Sequence, residues 1–207
     1  MVPTKIVCIG WNYRSHVKEL ESELPREPTV FLKPPSCLIR DGDDIVIPAG
    51  ITNVQHEVEL AVVFGRRCKD VPEDEALSCI SHVAVFNDVS ARDMQTEARR
   101  AGNTWDMSKG IDTFGPMSEP VPIGDIDVQD LDLTLTVNGE VRQSGNTGNM
   151  IFTVPKLIAY VTRFMTMEQG DVLITGTPEG VSEIRPGDTV VAEVPGVGRL
   201  ENRVVKG

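Results

Sequence analysis

In the nine residues His56-Glu57-Val58-Glu59-Leu60-Ala61-Val62-Val63-Phe64, strict alternation places Val58, Leu60, Val62 and Phe64 on one face of a β-strand and Glu57, Glu59, Ala61 and Val63 on the other. The first face makes only part of a core. The second continues as apolar from Ala61 onward, so two carboxylates enter a face that the rest of the strand would bury. A carboxylate in such a place needs a compensating partner, and two like charges at i and i+2 repel unless a cation fills the gap. Asp88, at the end of a second apolar strand, can complete an all-oxygen set. Hard carboxylate donors unaccompanied by Cys or His favour magnesium or manganese, with calcium as a substitute, over zinc. Taken alone, Glu-x-Glu is more often the solvated face of a strand, and it is the apolar continuation that shifts the reading.

Elsewhere the chain is punctuated by 18 glycines and 14 prolines, a profile of short strands and tight turns. Strands are predicted over 5–9, 29–33, 44–47, 82–86 and 171–175, with hairpins over 131–142, turned by Asn138-Gly139, and over 189–205. Helices are predicted over 15–20, 73–78, 91–100, the last capped by Ser90, and 155–164. The acidic, proline-bounded segment 21–28 reads as a solvated loop beside the first helix and a candidate lid. Residues 102–122 show no clear periodicity. Many short strands with a few separate helices predict an α+β fold around a rolled antiparallel or mixed sheet, and the 207 residues suit one domain spanning 1–207.

Twenty Lys and Arg against 31 Asp and Glu give a formal net charge of −11, a field that repels phosphate backbones and anionic headgroups, so neither nucleic acid nor membrane is an expected partner. The same field opposes an anionic substrate unless positive charge is concentrated locally, as by a divalent metal. No apolar run approaches a membrane span and no signal sequence opens the chain, which predicts a cytoplasmic location. Cys8, Cys37, Cys68 and Cys79 are scattered without a CxxC pair and read as reduced, mostly buried thiols.

Further candidates for chemistry follow from spacing. His16 and Glu19 share a helix face at i, i+3, where the carboxylate can orient the imidazole as a base towards water; a surface helix pair fits equally. His56 lies opposite Glu57 by alternation and reads as a packing or supporting residue. Arg92, Gln95 and Lys109 can supply donors to a substrate carboxylate or a developing enolate, although each alone defaults to a surface residue. Thr175-Gly176-Thr177-Pro178-Glu179-Gly180 suits close backbone approach to a small anion, and also suits a plain tight turn.

These elements in this order, namely Gly10-x-Asn12-Tyr13-x-x-His16-x-x-Glu19, Phe31-Leu32-Lys33-Pro34, His56-Glu57-x-Glu59-Leu60, Asn87-Asp88-Val89-Ser90-Ala91-Arg92-Asp93-x-Gln95, Lys109 and Thr175-Gly176-Thr177-Pro178-x-Gly180, resemble the fumarylacetoacetate hydrolase family, especially its small acylpyruvase and oxaloacetate decarboxylase branch. The resemblance implies an α+β fold of mixed β-sandwich or β-roll type with a few short helices, and a homodimer. It implies that Glu57, Glu59 and Asp88 hold magnesium or manganese, that His16, Glu19 and Lys109 are catalytic, and that Arg92, Gln95 and Thr177 contact a small 2-oxo acid. The implied activity is hydrolysis of the C–C bond of acylpyruvates (2,4-dioxo acids), decarboxylation of oxaloacetate, or both. Isomerisation or tautomerisation of 2-oxo and 2-hydroxydienoic dicarboxylic acids is the alternative, and a non-catalytic binding homologue the contrasting class. One departure is Trp11, where several acylpyruvases carry Arg, and an aromatic residue there favours a different or less charged substrate tail.

Overall fold

The computed structural model describes residues 2–19 and 23–207. A six-stranded mixed sheet is formed by β1 (Ile6–Gly10), β2 (Thr29–Lys33), β6 (Val58–Phe64), β7 (Ile80–Asn87), β10 (Val121–Pro122) and β13 (Val172–Ile174), in the order β10-β7-β6-β13-β1-β2. A five-stranded sheet contains β4 (Ile45–Ile47), β11 (Asp132–Val137), β12 (Glu140–Asn146), β14 (Thr189–Val194) and β15 (Gly198–Lys206), in the order β12-β11-β14-β15-β4. Two short pairs complete the strands: β3 (Leu38–Ile39) with β9 (Gly115–Pro116), and β5 (Val54–Gln55) with β8 (Ser90–Ala91). The helices are α1 (Arg14–Glu19), α2 (Arg92–Ala101), α3 (Asp106–Lys109) and α4 (Val154–Phe164), with a 3-10 helix over Glu73–Cys79. The predicted α+β class is the observed one.

Alternation along β6 and β7 explains why the larger sheet is covered on both faces. Val58, Leu60, Val62 and Phe64 join Val83 and Val85 in the main core, together with Leu133, Leu135, Val190 and Ala192 of the smaller sheet. Ala61, Ala84 and Phe86 turn the other way, into a second core with Ile6, Cys8, Phe31 and Cys37. The register pairs Glu59 with Phe86 and Ala61 with Ala84, so Glu59 enters beside this second core, at the end where its apolar side chains give out. All four cysteines are free and buried.

β13 lies between β1 and β6, parallel to the first and antiparallel to the second, so strands far apart in sequence become neighbours in the sheet. The Asn138-Gly139 turn has both residues at positive φ, 53° and 82°, as a two-residue hairpin of this hand requires. In α4, Val154, Leu157, Ile158 and Val161 form the buried stripe and the Thr153 side chain accepts from Lys156 N at the cap, as apolar positions at i, i+3, i+4 and i+7 dictate.

Three expectations need correction or restriction. Ser90 does not cap α2: Ala91 holds the cap position without a side-chain bond, and the Ser90 hydroxyl donates to Asp88 O at 2.9 Å, because the residue is already committed to β8. The aperiodic stretch contains α3, whose single turn is too short to show a period. Of the candidate lid over 21–28, residues 21 and 22 lie outside the described residues, as does residue 20 of the helix predicted over 15–20, and 23–28 hold neither helix nor strand. No helix among the described residues is long and apolar enough to cross a membrane.

Candidate active site

Sheet geometry brings the three acidic residues together. Glu57 immediately precedes β6 and Asp88 immediately follows β7, and Asp88 N donates to Glu57 O at 2.8 Å, which continues the β6–β7 ladder beyond the last paired strand residues. One carboxylate oxygen from each of Glu57, Glu59 and Asp88 lies within 4.8 Å of the others, and all three residues are buried. Glu57, Glu59, His16, Arg92, Gln95, Lys109 and Thr177 line a common small cavity.

The charge in this cluster is unevenly compensated. Lys109 Nζ donates to Glu57 Oε2 at 2.8 Å and to Asp88 Oδ2 at 2.6 Å, and Arg92 Nη2 donates to Glu57 Oε1. Lys33, only 1 % exposed, reaches from β2 to Asp88 Oδ1 at 2.5 Å. Among the described residues, Glu59 receives only a backbone donor, Gly176 N. Burial, then the neighbouring charges of Asp88 and Glu57, push its carboxyl well above the ordinary carboxylate range. Burial also opposes ionisation of Glu57, but Lys109 and then Arg92 outweigh it and hold that carboxyl below the ordinary range. Desolvation works against the Lys109 ammonium, and Asp88 and Glu57 more than restore it.

Arg92 and Lys109 are therefore not free donors awaiting a substrate. They pair with Glu57 and Asp88 because carboxylates removed from water recruit the nearest cations. Gln95 accepts from Arg92 Nη1. Thr177 lines the cavity, but its hydroxyl hydrogen goes to Val58 O at 2.8 Å and its oxygen accepts from Gln143 Nε2 at 2.8 Å. The 175–180 loop does approach anions, as its glycines suggested, and they are the protein's own: Gly176 N serves Glu59 and Gly180 N serves Glu19 Oε1 at 3.0 Å.

The His16–Glu19 dyad is formed. Nδ1 of His16 lies 3.0 Å from Glu19 Oε2, with His16 buried and Glu19 at the surface. The turn leading into α1 is clamped by Asn12, whose side chain donates to Phe152 O at 3.0 Å and Thr175 O at 2.8 Å and accepts from Phe152 N at 2.8 Å. His56 lies off the cavity, with Nδ1 2.9 Å from Gln143 Oε1 and Nε2 2.9 Å from Ser182 Oγ, and burial lowers its pKa. It is a supporting residue, as alternation required.

Residue spacing did not single out Lys33. The signal for Lys33 was available: it shares a strand face with Phe31, a core residue, so its ammonium had to meet a buried anion. For the two glycine N–H groups, spacing pointed to the loop but not to the carboxylates that they serve.

A divalent cation suits this donor set. The oxygens are hard and convergent, and Glu59 is a buried carboxyl crowded by two others, with no cation of the described residues paired to it, the environment that an added positive charge relieves. Lys109 occupies the approach between Glu57 and Asp88, so sharing those oxygens with an ion requires its ammonium to yield at least one contact.

A mixed α+β fold in which Glu57 and Glu59 of an acidic triad and His16 of a His–Glu pair line one cavity defines a class of candidate metal-dependent acid–base enzymes. The chain belongs to the fumarylacetoacetate hydrolase family: residues 5–205 match the family described as "Fumarylacetoacetate (FAA) hydrolase C-terminal". It is 45 % identical to a mitochondrial oxaloacetate tautomerase of Arabidopsis thaliana, with 96 % of this chain and 89 % of that protein covered. A fumarylpyruvate hydrolase from Pseudomonas aeruginosa, solved with Mn2+ and pyruvate, superposes with a TM-score of 0.94 at 29 % identity, covering 98 % of this chain and 90 % of that one. A 5-carboxymethyl-2-hydroxymuconate delta-isomerase from Mycobacterium smegmatis superposes with a TM-score of 0.90 at 41 % identity, covering all of this chain and 80 % of that one.

Proposed function

We propose that this protein is a magnesium- or manganese-dependent enzyme that cleaves the C–C bond of short acylpyruvates through an enolate, and that it works as a homodimer. The observation that carries the reading is the convergence of Glu57, Glu59 and Asp88 within 4.8 Å, with Glu57 and Glu59 lining the cavity that His16 also lines. Bound there by these three carboxylates, a divalent ion supplies Lewis-acid polarisation of a keto oxygen beside a carboxylate. His16, oriented by Glu19, takes the proton of a water that attacks the distal carbonyl. Glu19 in turn is fixed by Gly180 N, so the imidazole keeps its other nitrogen turned to the cavity. Lys109, released from one of its carboxylates, holds positive charge beside the departing enolate, and the Gln95 amide, its oxygen held by Arg92, turns its N–H donors to the substrate carboxylate.

Keto–enol tautomerisation of a short 2-oxo dicarboxylic acid is the second reading, favoured by the name of the Arabidopsis relative at 45 % identity. It needs the same polarised keto group and a proton shuttle, but no attacking water. Purified protein stripped with a chelator and resupplied with Mg2+ or Mn2+ separates the readings when assayed on acetylpyruvate, fumarylpyruvate and oxaloacetate. Pyruvate release from acetylpyruvate or fumarylpyruvate that stops on chelation supports hydrolysis, pyruvate release from oxaloacetate marks decarboxylation, and enol loss from oxaloacetate without pyruvate supports tautomerisation. Silence on the whole panel returns the chain to the binding-homologue class. Light scattering at a single chain mass would overturn the dimer.

Gly180→Ala tests the dyad's support. Gly180 has φ +95°, and a Cβ there would meet Arg142 O at 2.0 Å, so the backbone must shift and take its N–H from Glu19. Groups that orient a catalytic ligand are typically worth about 10- to 100-fold, and a kcat loss of that size is expected with KM little changed. An unaltered kcat in a folded variant would show that Glu19 is held adequately without this donor.

A further inference from the structure

Charged and aromatic side chains share the lining of the cavity. Beyond the carboxylates, Lys109 Nζ stands 5.1 Å from the centroid of the Phe31 ring, Phe31 lies 5.5 Å from Trp105, and Trp105 meets Trp11 edge-on at 5.0 Å. These contacts lead from the charged end to an aromatic wall, and Phe31, Trp11 and Trp105 all line the cavity. Arg99 stacks on Trp11 at 5.1 Å but is not among the lining residues, and the cations that do line the cavity, Arg92 and Lys109, are both engaged by the carboxylates of Glu57 and Asp88.

The wall is built into the backbone. Trp11 sits at φ 58°, on the turn that Asn12 clamps. Gly10 makes room for Trp105, since a Cβ there would come within 2.9 Å of the indole. Trp105 opens α3, the helix that ends at Lys109, and its carbonyl accepts from Lys109 N at 3.0 Å. The indole is thereby fixed relative to the ammonium.

We infer that Trp11 and Trp105 form the subsite for the distal end of the substrate and select an uncharged, apolar tail over a second carboxylate. A carboxylate pressed against aromatic faces meets their negative quadrupole and loses hydration without a donor in return, whereas an alkyl or aryl tail gains by burial. The inference rests on the 2-oxo acid reading above and narrows it to acylpyruvates whose acyl group carries no charge.

The chain's only two tryptophans are the two at this wall, so intrinsic fluorescence reports occupancy directly. Two probes that cannot be cleaved by hydrolysis and match in length, 2-oxohexanoate and 2-oxohexanedioate, are titrated into the protein with Mg2+, alongside pyruvate. 2-Oxohexanoate is expected to perturb the emission and to bind at least about tenfold more tightly than the dicarboxylate, in line with discrimination by an apolar pocket. Trp11→Arg, read through Trp105, is expected to shift that ratio towards the dicarboxylate by about tenfold or more. Trp105→Leu, read through Trp11, keeps an apolar wall and retains the wild-type preference. Equal affinities in the wild type, or tighter dicarboxylate binding, overturn the inference while leaving the 2-oxo acid reading standing. Failure of all three ligands, pyruvate included, overturns that reading and the inference with it.

Discussion

Glu59→Gln is expected to reduce metal-dependent turnover by about a thousandfold or more, since residues that merely support a metal ligand are already worth about 10- to 100-fold. Calorimetric titration with Mn2+ should show the heat of binding lost or sharply weakened. The metal-free protein should respond in the opposite sense. Burial and the charges of Asp88 and Glu57 raise the Glu59 carboxyl in the folded chain, so the folded state keeps a proton that the unfolded chain gives up near its ordinary value of about 4.3. Stability from this group is fully present below that unfolded value and is lost as pH rises through the raised folded value. The Gln variant, with nothing to ionise, should lose less stability than the wild type over that range and melt higher when metal is absent. Metal competes with the same proton, so its affinity and the thermal stabilisation it confers should grow with pH in the wild type. A Glu59→Gln variant that binds Mn2+ as the wild type does would remove the central assignment.

His16→Gln should suppress acylpyruvate hydrolysis by about 10²- to 10⁴-fold, the usual worth of a positioned general base. Decarboxylation of oxaloacetate should fall far less, because release of carbon dioxide needs charge stabilisation but no activated water. Parallel assays of pyruvate release from the two substrates at fixed Mg2+ read the difference. Equal loss in both, or loss in neither, would remove the division of labour between the dyad and the triad. Glu19→Gln should reproduce the His16 effect in weaker form, since the amide still occupies the position 3.0 Å from Nδ1 but no longer favours a cationic ring.

Period-two alternation was sufficient to bring Glu57 and Glu59 to one side of β6 and to turn His56 away, because a strand buried on both faces leaves no freedom in register. It did not reveal how the charges are distributed. Arg92 and Lys109 occur in aperiodic or helical segments, and only their approach across the sheet to Glu57 and Asp88 makes them counter-ions within the cluster. The 175–180 loop was legible as an anion-seeking backbone from its glycines. Which anions it serves depends on β13 pairing with β6, a long-range contact that no local pattern encodes. Ser90 was misread for a related reason: as a cap it satisfied a local rule, while the β5–β8 pairing claimed it first.

The position of β13 between β1 and β6 also bears on biosynthesis. A chain emerging from the ribosome presents β1, β2, β6 and β7 long before Val172 is made, and until then the two edges that β13 will join stay unpaired. Open edges of this kind invite pairing with other nascent chains. Holdase chaperones would therefore find their binding site on this protein in the gap that β13 later fills, and translation pauses upstream of Val172 would lengthen the exposure.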